Sequence, residues 1–314
     1  MTLLVAITGW DTAPWLDRFR RVLPDRPVVA TGDAFDPASV LYAASWKHTP
    51  ATFTGLPNLR AIFSLGAGVD HLIGDATLPA VPILRVVDPD LTNRMSEYVV
   101  MQCLMHLRRH FAYAAQQREG RWFDERDQPA ARDVRVGILG TGVLGADAAR
   151  KLALMGFDVA GWSRSPKRLD GIRTFAGEAE LDAFLGRTDI LVCLLPLTPA
   201  TRGILDRRLF GRLARDGRLG GPILVNAGRG GLQVEADILA ALEDGTLLFA
   251  SLDVFATEPL PAASPLWHHP KVSITPHNAA NSDPEAIAAA IAAQIRRHEA
   301  GQALENEVDR ATGY

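Results

Sequence analysis

The most restrictive feature of this sequence is a glycine-rich turn between a predicted strand and a predicted helix. Residues 134–145, VRVGILGTGVLG, contain Gly140, Gly142 and Gly145 in the spacing G-x-G-x-x-G. In a βαβ unit the first glycine permits a tight turn, the second lets the backbone approach a pyrophosphate, and the third lets helix and strand pack closely. A glycine turn without a ligand fits the same pattern. The flanking strand and helix nevertheless favour a dinucleotide site, with phosphates at the helix N-terminus.

Short apolar runs separated by helical or polar stretches lie on both sides of this turn. Continuous runs of this kind are typical of parallel strands covered on both faces. Eleven are predicted as strands: 3–8, 26–31, 40–45, 61–65, 83–87, 134–139, 157–162, 189–195, 222–227, 248–255 and 271–275. The alternation predicts an α/β fold with two Rossmann-like, doubly wound parallel-sheet domains.

A long helical pattern separates the two strand series. It is predicted from about Thr92 to Arg118, with Asn93 or Thr92 as its N-cap, and the polar segment 119–133 resembles an arm or linker. A C-terminal helix is predicted to begin at 283–285 and to end at Gly301. We expect this helix to fold back and complete the first domain. The predicted domains are 1–97 with 285–314 for substrate, and 98–284 for the dinucleotide.

The composition disfavours several classes of partner. The chain of 314 residues has a formal net charge of −3 and no block of like charges, which argues against nucleic acid. Cys103 and Cys193 lie in apolar runs without metal-ligand spacing, so we expect buried thiols, no metal site and a reducing compartment. Neither a signal-peptide pattern nor an apolar run of about 20 residues is present. These observations predict a cytoplasmic protein without membrane contact.

The residues after the second strand of the dinucleotide domain indicate which cofactor is used. An NAD site usually has Asp or Glu there, bound to the ribose hydroxyl. This chain instead has Ser163, Arg164, Ser165 and Lys167. A guanidinium suits a 2′-phosphate, so NADPH is predicted as the preferred cofactor, with NADH still possible. A solvated basic loop is the alternative interpretation.

Three polar residues follow later strands, at positions where ligands bind in open α/β sheets: Arg229, Glu258 and His277. Each alone is more often a surface charge, a turn residue or a structural histidine. Together they suggest acid–base chemistry, because hydride reduction of a carbonyl leaves an oxyanion that needs a proton. Histidine can give that proton, a carboxylate can hold the imidazolium, and a guanidinium can polarise the carbonyl.

The first domain contains a turn of small residues between a strand and a short helix. Residues 64–70, SLGAGVD, can present successive backbone N–H groups to an anion. A tight turn without a ligand is the alternative.

Taken together, these motifs resemble the D-isomer-specific 2-hydroxyacid dehydrogenase family, and within it the bacterial glyoxylate/hydroxypyruvate reductases. The resemblance covers essentially the whole chain. The segments that carry it are SLGAGVDHL (64–72), GILGTGVLG (137–145), WSRSPK (162–167), LLPLTPATRGI (194–204), NAGRGG (226–231), LDVFATEPLP (252–261), SPLWHHP (264–270), ITPHNAA (274–280) and VDRATGY (308–314).

The resemblance implies a role for each matching position. Arg229 would orient the substrate, Glu258 would be the partner of the histidine, and His277 would be the general acid and base. Substrate-binding positions would be Trp46, Leu65, Gly66, Ala67, Gly68 and Val69. Cofactor-binding positions, with the glycines and the basic loop, would be Val143, Leu144, Leu195, Pro196, Thr201, Ala227, Gly228 and Asp253. Family members are usually homodimers, here through about residues 98–130.

The expected activity is therefore NADPH-dependent reduction of glyoxylate to glycolate and of hydroxypyruvate to D-glycerate. Two alternatives stay open. One is an NAD-linked D-2-hydroxyacid dehydrogenase of another substrate range, and the other is a corepressor-like protein that senses the dinucleotide. Two features depart from the family pattern: the glycine-rich segment 216–221, and Asn278 beside the histidine.

Overall fold

The computed structural model describes residues 1–310 and residue 313. Its internal contacts divide the chain into two compact units, Met1–Leu91 with Ser282–Tyr314, and Thr92–Asn281. The sequence interpretation placed the divisions a few residues later, at 97/98 and 284/285. Its assignment of substrate to one unit and dinucleotide to the other stays a prediction.

The first unit is built on a five-stranded parallel sheet in the order β2-β1-β3-β4-β5. Its strands are β1 (Thr2–Ile7), β2 (Val28–Ala30), β3 (Val40–Trp46), β4 (Ala61–Ser64) and β5 (Ile83–Leu84). Its helices are α1 (Ala13–Val22), α2 (Asp70–Ile73) and α9 (Pro284–Glu299). The strand order is that of flavodoxin-like doubly wound sheets.

Helix α9 completes the first unit, as predicted. Its buried residues Ile287, Ile291 and Ile295 are four positions apart, so they form one stripe. They share a hydrophobic core with Trp15 and Phe19 of α1. The Asp283 carboxylate caps the helix by accepting the N–H of Glu285 at 3.0 Å.

The second unit contains a seven-stranded parallel sheet in the order β12-β11-β10-β9-β6-β7-β8. Its strands are β6 (Arg135–Leu139), β7 (Asp158–Ser163), β8 (Arg173–Ala176), β9 (Ile190–Cys193), β10 (Ile223–Asn226), β11 (Phe249–Leu252) and β12 (Val272–Ile274). Its helices include α5 (Val143–Leu154), α6 (Gly177–Leu185), α7 (Arg207–Phe210) and α8 (Glu235–Glu243). The strand order reverses between β6 and β9, the switch point at which such sheets bind ligands.

The single helix predicted over 92–118 is wrong. The chain forms α3 (Pro89–Leu107) and α4 (His110–Arg118), separated at Arg109, whose φ of 54° is left-handed. The predicted caps Thr92 and Asn93 are also wrong, because the helix begins at Pro89 and Asp88, just before it, accepts the N–H groups of Asp90 and Leu91. Strand β8 was not predicted.

The two cysteines are buried free thiols, Cys103 in α3 and Cys193 in β9. Burial raises the pKa of each to about 12, so neither is a reactive thiolate at neutral pH. No helix in the described part of the chain has the length and apolar character needed to span a membrane.

Candidate active site

The glycine turn has the close approaches that the sequence predicted. Gly140 has a φ of +110° and donates its N–H to Trp162 O on β7. A Cβ on Gly145 would lie 1.9 Å from Gly140 O, whereas one on Gly142 would meet nothing within 4 Å. Helix α5 begins at Val143, and no side chain in the described structure caps it. The open face at Gly142 and the uncapped helix N-terminus fit a pyrophosphate group.

The basic loop after β7 is connected to this turn. Lys167 Nζ donates to the carbonyl oxygen of Thr141 at 3.2 Å, between the first two glycines. Ser163 is buried and donates its hydroxyl to Ser165 O at 2.8 Å, whereas Arg164 is exposed. The loop therefore places cationic side chains beside the end of β7, where the chain has no carboxylate.

Two segments predicted to contact the cofactor lie against each other at the ends of β9 and β10. A Cβ on Gly228 would lie 2.9 Å from Leu195 O, and Ala227 N donates to Cys193 O at 3.3 Å. Thr201 stabilises the first segment, because its hydroxyl donates to Pro196 O at 2.7 Å. The contact leaves no space for a side chain at position 228.

Arg229 follows β10 and is held by its own loop. Its Nη1 donates to Gly228 O at 2.8 Å. The buried side chain of Asn226 donates to Arg229 O at 3.3 Å and to Gln233 Oε1 at 2.8 Å. Gln233 Nε2 in turn donates to Val254 O at 2.9 Å, after the neighbouring strand. This network sets the path of the backbone that carries the arginine.

The side chains of Glu258 and His277 are in contact in the loops after β11 and β12. Glu258 Oε2 lies 2.7 Å from His277 Nδ1, and Glu258 Oε1 accepts the N–H of Phe255 at 3.0 Å. The Glu258 side chain is 30% exposed and the His277 side chain is 44% exposed, so both can be reached from solvent. Arg229 lies at the same edge of the sheet, after β10, because all three strands are parallel.

Asp253, at the end of β11, is 1% exposed. Its carboxylate accepts N–H groups from Asn278 and Ala279, directly after His277. The N–H of Asn278 is thus used inside the turn, a contact that any residue except proline could make.

The turn after β4 belongs to the first unit. Leu65 N donates to Ser45 O at 2.9 Å, and Gly66 N is 3.2 Å from Ser64 Oγ. In the described structure the N–H groups of residues 67–69 donate to no acceptor. Of the five predicted positions, these three therefore offer backbone donors to an anion.

Trp46, at the end of β3, lies against this turn. A Cβ on Gly66 would lie 2.7 Å from Trp46 Cζ3, so only glycine fits beneath the ring. Trp10 stacks on Trp46, with ring centroids 4.5 Å apart and an interplanar angle of 13°. The structure thus brings the predicted aromatic and the predicted anion turn together within one unit.

Several positioning residues were missed by the sequence interpretation, among them Trp10, Asn226 and Gln233. Trp10 stacks on Trp46, which is far from it in the chain, so no local sequence pattern predicts this contact. The amide pair 226 and 233 is joined across an irregular loop, where neither helical nor strand periodicity predicts which side chains meet.

A parallel α/β unit with a glycine turn at its switch point, and polar side chains after its later strands, is typical of dinucleotide-dependent enzymes. Residues 100–279 match the family model described as "D-isomer specific 2-hydroxyacid dehydrogenase, NAD binding domain". The chain belongs to the D-isomer specific 2-hydroxyacid dehydrogenase family.

Relatives that match over nearly the full length of the chain indicate its branch of this family. The chain is 43% identical to glyoxylate/hydroxypyruvate reductase A of Serratia proteamaculans, over 97% of each chain. It is 40% identical to the enzyme of that name from Escherichia fergusonii, over 100% of each.

Solved structures agree with these relatives. One is the NADPH-dependent glyoxylate/hydroxypyruvate reductase of Sinorhizobium meliloti in complex with NADP and sulfate, with 50% identity and a TM-score of 0.94 over 100% of this chain and 99% of that one. Another is a probable 2-hydroxyacid dehydrogenase from Rhizobium etli with NADP, HEPES and L(+)-tartaric acid, with 47% identity, a TM-score of 0.95 and the same coverage.

Proposed function

We propose that this protein reduces small 2-oxo acids with NADPH, glyoxylate to glycolate and hydroxypyruvate to D-glycerate. The observation that carries the proposal is the 2.7 Å contact between Glu258 and His277, at the sheet edge that also carries Arg229. The relative named glyoxylate/hydroxypyruvate reductase A, and the solved relatives in complex with NADP, support the same activity.

The residues of the second unit divide the chemistry between them. The bound nicotinamide supplies the hydride. His277 Nε2 gives a proton to the oxygen that becomes the hydroxyl, and Glu258 holds the imidazole by Nδ1. Arg229 binds the substrate carboxylate and polarises the carbonyl, since a planar guanidinium can serve two oxygens at once.

The residues of the first unit recognise the substrate. The three backbone N–H groups of residues 67–69 suit a carboxylate. The Trp10–Trp46 stack beside Gly66 presents a rigid aromatic wall. A wall of that kind favours a substrate with a hydrogen or hydroxymethyl group on the carbonyl carbon over one with a large side chain.

NADPH would be held by the turn 140–145 and the loop 163–167. The uncapped N-terminus of α5 suits the pyrophosphate, and Arg164 and Lys167 suit the 2′-phosphate. The adjoining strand ends would contact the cofactor through Leu195, Pro196, Thr201, Ala227 and Gly228. Asp253 is proposed to lie near the nicotinamide.

A panel of substrates tests the function directly. Glyoxylate, hydroxypyruvate, pyruvate, phenylpyruvate and a branched 2-oxo acid are each assayed with NADPH and with NADH, and the configuration of the glycerate product is determined. We expect the highest kcat/KM for the first two substrates with NADPH, and D-glycerate as product. Preferred use of NADH with other acids would favour the NAD-linked dehydrogenase, and dinucleotide binding without turnover would favour the corepressor-like protein.

The proposal includes a homodimer formed through about residues 98–130. Apolar side chains are exposed along this stretch, with Trp122 99% and Phe123 59% exposed, and Met101 45% exposed on α3. Exposed apolar surface of this kind is typical of an interface. Sedimentation of the wild type and of Met101→Glu tests it: we expect a dimer that the charge weakens. A cytoplasmic location is proposed with it, since both cysteines are free thiols.

A further inference from the structure

The turn that carries His277 has a backbone conformation that needs support. His277 has a φ of 52°, in the left-handed region that β-carbon-bearing residues rarely occupy. Its N–H donates to Asp253 O at 2.8 Å and lies 3.1 Å from Thr275 O. A conformation of this kind persists only where the surrounding contacts hold it.

The carboxylate of Asp253 supplies that support from inside the unit. Oδ1 accepts the N–H of Asn278 at 3.0 Å and of Ala279 at 3.1 Å, and Oδ2 also lies 3.1 Å from the Ala279 nitrogen. Together with the contact through its own carbonyl, Asp253 binds three successive N–H groups, those of residues 277–279. Asp253 therefore holds the histidine through its carbonyl oxygen and the two residues after it through its carboxylate.

Two hydroxyl groups extend this anchor to helix α3. Thr275 Oγ1 lies 2.6 Å from Asp253 Oδ1 and 3.0 Å from the Tyr98 hydroxyl. The single proton of Thr275 is committed to the carboxylate, which can only accept, so Tyr98 must be the donor to Thr275. Burial raises the pKa of Tyr98 to about 12, so its hydroxyl keeps that proton at neutral pH.

We propose that Tyr98 and Thr275 are positioning residues for His277, acting through Asp253. The chain of donors runs from the Tyr98 hydroxyl through Thr275 to the carboxylate that holds the 277–279 turn. Neither residue is assigned contact with substrate or cofactor. The inference rests on the proposed function, because it gives His277 its place in proton transfer.

Four variants separate positioning from folding. The hydrogen bonds from Tyr98 through Thr275 to the Asp253 carboxylate are called the relay below. Tyr98→Phe and Thr275→Val each remove one hydroxyl from the relay, and Thr275→Ser keeps the hydroxyl with a smaller side chain. Tyr42→Phe is the matched control, since its buried hydroxyl contacts His298 in the first unit. All four are checked by thermal unfolding, and their affinity for NADPH is measured separately, because Asp253, the hydrogen-bond partner of Thr275, is itself proposed to lie near the nicotinamide.

The first readout needs no turnover. Amide hydrogen exchange at residues 277–279 in the ligand-free protein should accelerate about fivefold to tenfold in Tyr98→Phe and Thr275→Val, the ratio expected from one lost hydrogen bond. Thr275→Ser and Tyr42→Phe should exchange there as the wild type does. Unchanged exchange in both relay variants would overturn the proposal.

The second readout is the split between kcat and KM. We expect kcat to fall at least about fivefold in Tyr98→Phe and Thr275→Val with KM nearly constant, since misplacement of a catalytic group affects the transition state. Thr275→Ser should restore kcat. Wild-type kcat in both relay variants would contradict the positioning role. If the wild type itself turns over no 2-oxo acid, the proposed function fails, and hydrogen exchange alone still decides whether the relay anchors the turn.

Discussion

Glu258 Oε2 lies 2.7 Å from Nδ1 of His277, while its other carboxylate oxygen accepts the backbone N–H of Phe255. The substitution Glu258→Gln keeps an acceptor for that N–H and removes the charge beside the imidazole. We expect kcat to fall by about two orders of magnitude, because general acid catalysis contributes 10²–10⁴-fold and depends on the charged pair. Steady-state kinetics measure this, and an unchanged affinity for NADPH serves as the control. A kcat within twofold of wild type would remove Glu258 from the mechanism.

Gly142 and Gly145 should respond differently to the same added methyl group. In Gly145→Ala the new Cβ would lie 1.9 Å from Gly140 O, so the backbone must shift, at a cost of about 1–3 kcal/mol of stability. In Gly142→Ala the methyl meets no protein atom within 4 Å and φ is −70°, so the fold should keep its stability. The methyl would instead occupy the face proposed for the pyrophosphate.

Thermal unfolding and calorimetric titration with NADPH distinguish these two outcomes. We expect a lower Tm for Gly145→Ala alone, and at least about a tenfold loss of NADPH affinity for Gly142→Ala, which corresponds to about 1.4 kcal/mol. Full NADPH affinity in Gly142→Ala would show that the pyrophosphate does not approach the turn at this point.

Arg164 should determine the choice between NADPH and NADH. Loss of its guanidinium in Arg164→Ala removes a charged partner for the 2′-phosphate, which NADH lacks. We expect kcat/KM to fall about tenfold to a hundredfold with NADPH, as for a hydrogen bond to a charged group, and to stay nearly constant with NADH. Arg168→Ala, four residues on and 93% exposed beside Asp170, is the matched control. Equal losses with both cofactors would indicate a general effect on the loop.

The features that sequence could predict are those with a local signature. Continuous apolar runs marked the strands of both sheets except β8, a short strand at the edge of the sheet in which only Phe175 is buried. The placement of Arg229, Glu258 and His277 at one edge of the sheet was predictable because each lies in the loop after a strand, and strand ends converge in a parallel sheet. The spacing of the glycines likewise implied close contacts that the structure shows.

The features that sequence could not predict depend on partners far apart in the chain. Tyr98 and Thr275 are 177 residues apart, so their hydrogen bond has no local pattern. The break at Arg109 lacks a glycine or proline to mark it. In the glycine-rich segment 216–221, a Cβ on Gly217 would lie 2.0 Å from Asp189 Oδ1, and Asp189 binds Arg135. That glycine is required by the buried carboxylate of Asp189, a contact that is visible only in three dimensions.

His106 should make the stability of the protein depend on pH. It lies buried on α3, with Nε2 3.0 Å from Ser251 Oγ, and burial lowers its pKa to about 3. In the unfolded chain the imidazole takes up a proton below about pH 6.5. Between those values the unfolded state binds more protons, so the free energy of unfolding decreases as the pH falls, by up to about 1.4 kcal/mol per pH unit from this group.

The variant His106→Gln removes this contribution and keeps a polar atom near Ser251. Urea unfolding at pH 7.5, 6.0 and 5.0 measures the free energy of unfolding of the wild type, of His106→Gln and of His110→Gln. His110→Gln is the control, because it changes an exposed histidine three residues after Leu107. Other titrating groups are common to all three proteins, so differences in slope report the substituted histidine. We expect His106→Gln to be the less stable protein at pH 7.5, where a well-packed residue is lost, and to lose less stability than the wild type on acidification. Parallel slopes for wild type and His106→Gln would mean that His106 binds its proton equally in the folded and unfolded states.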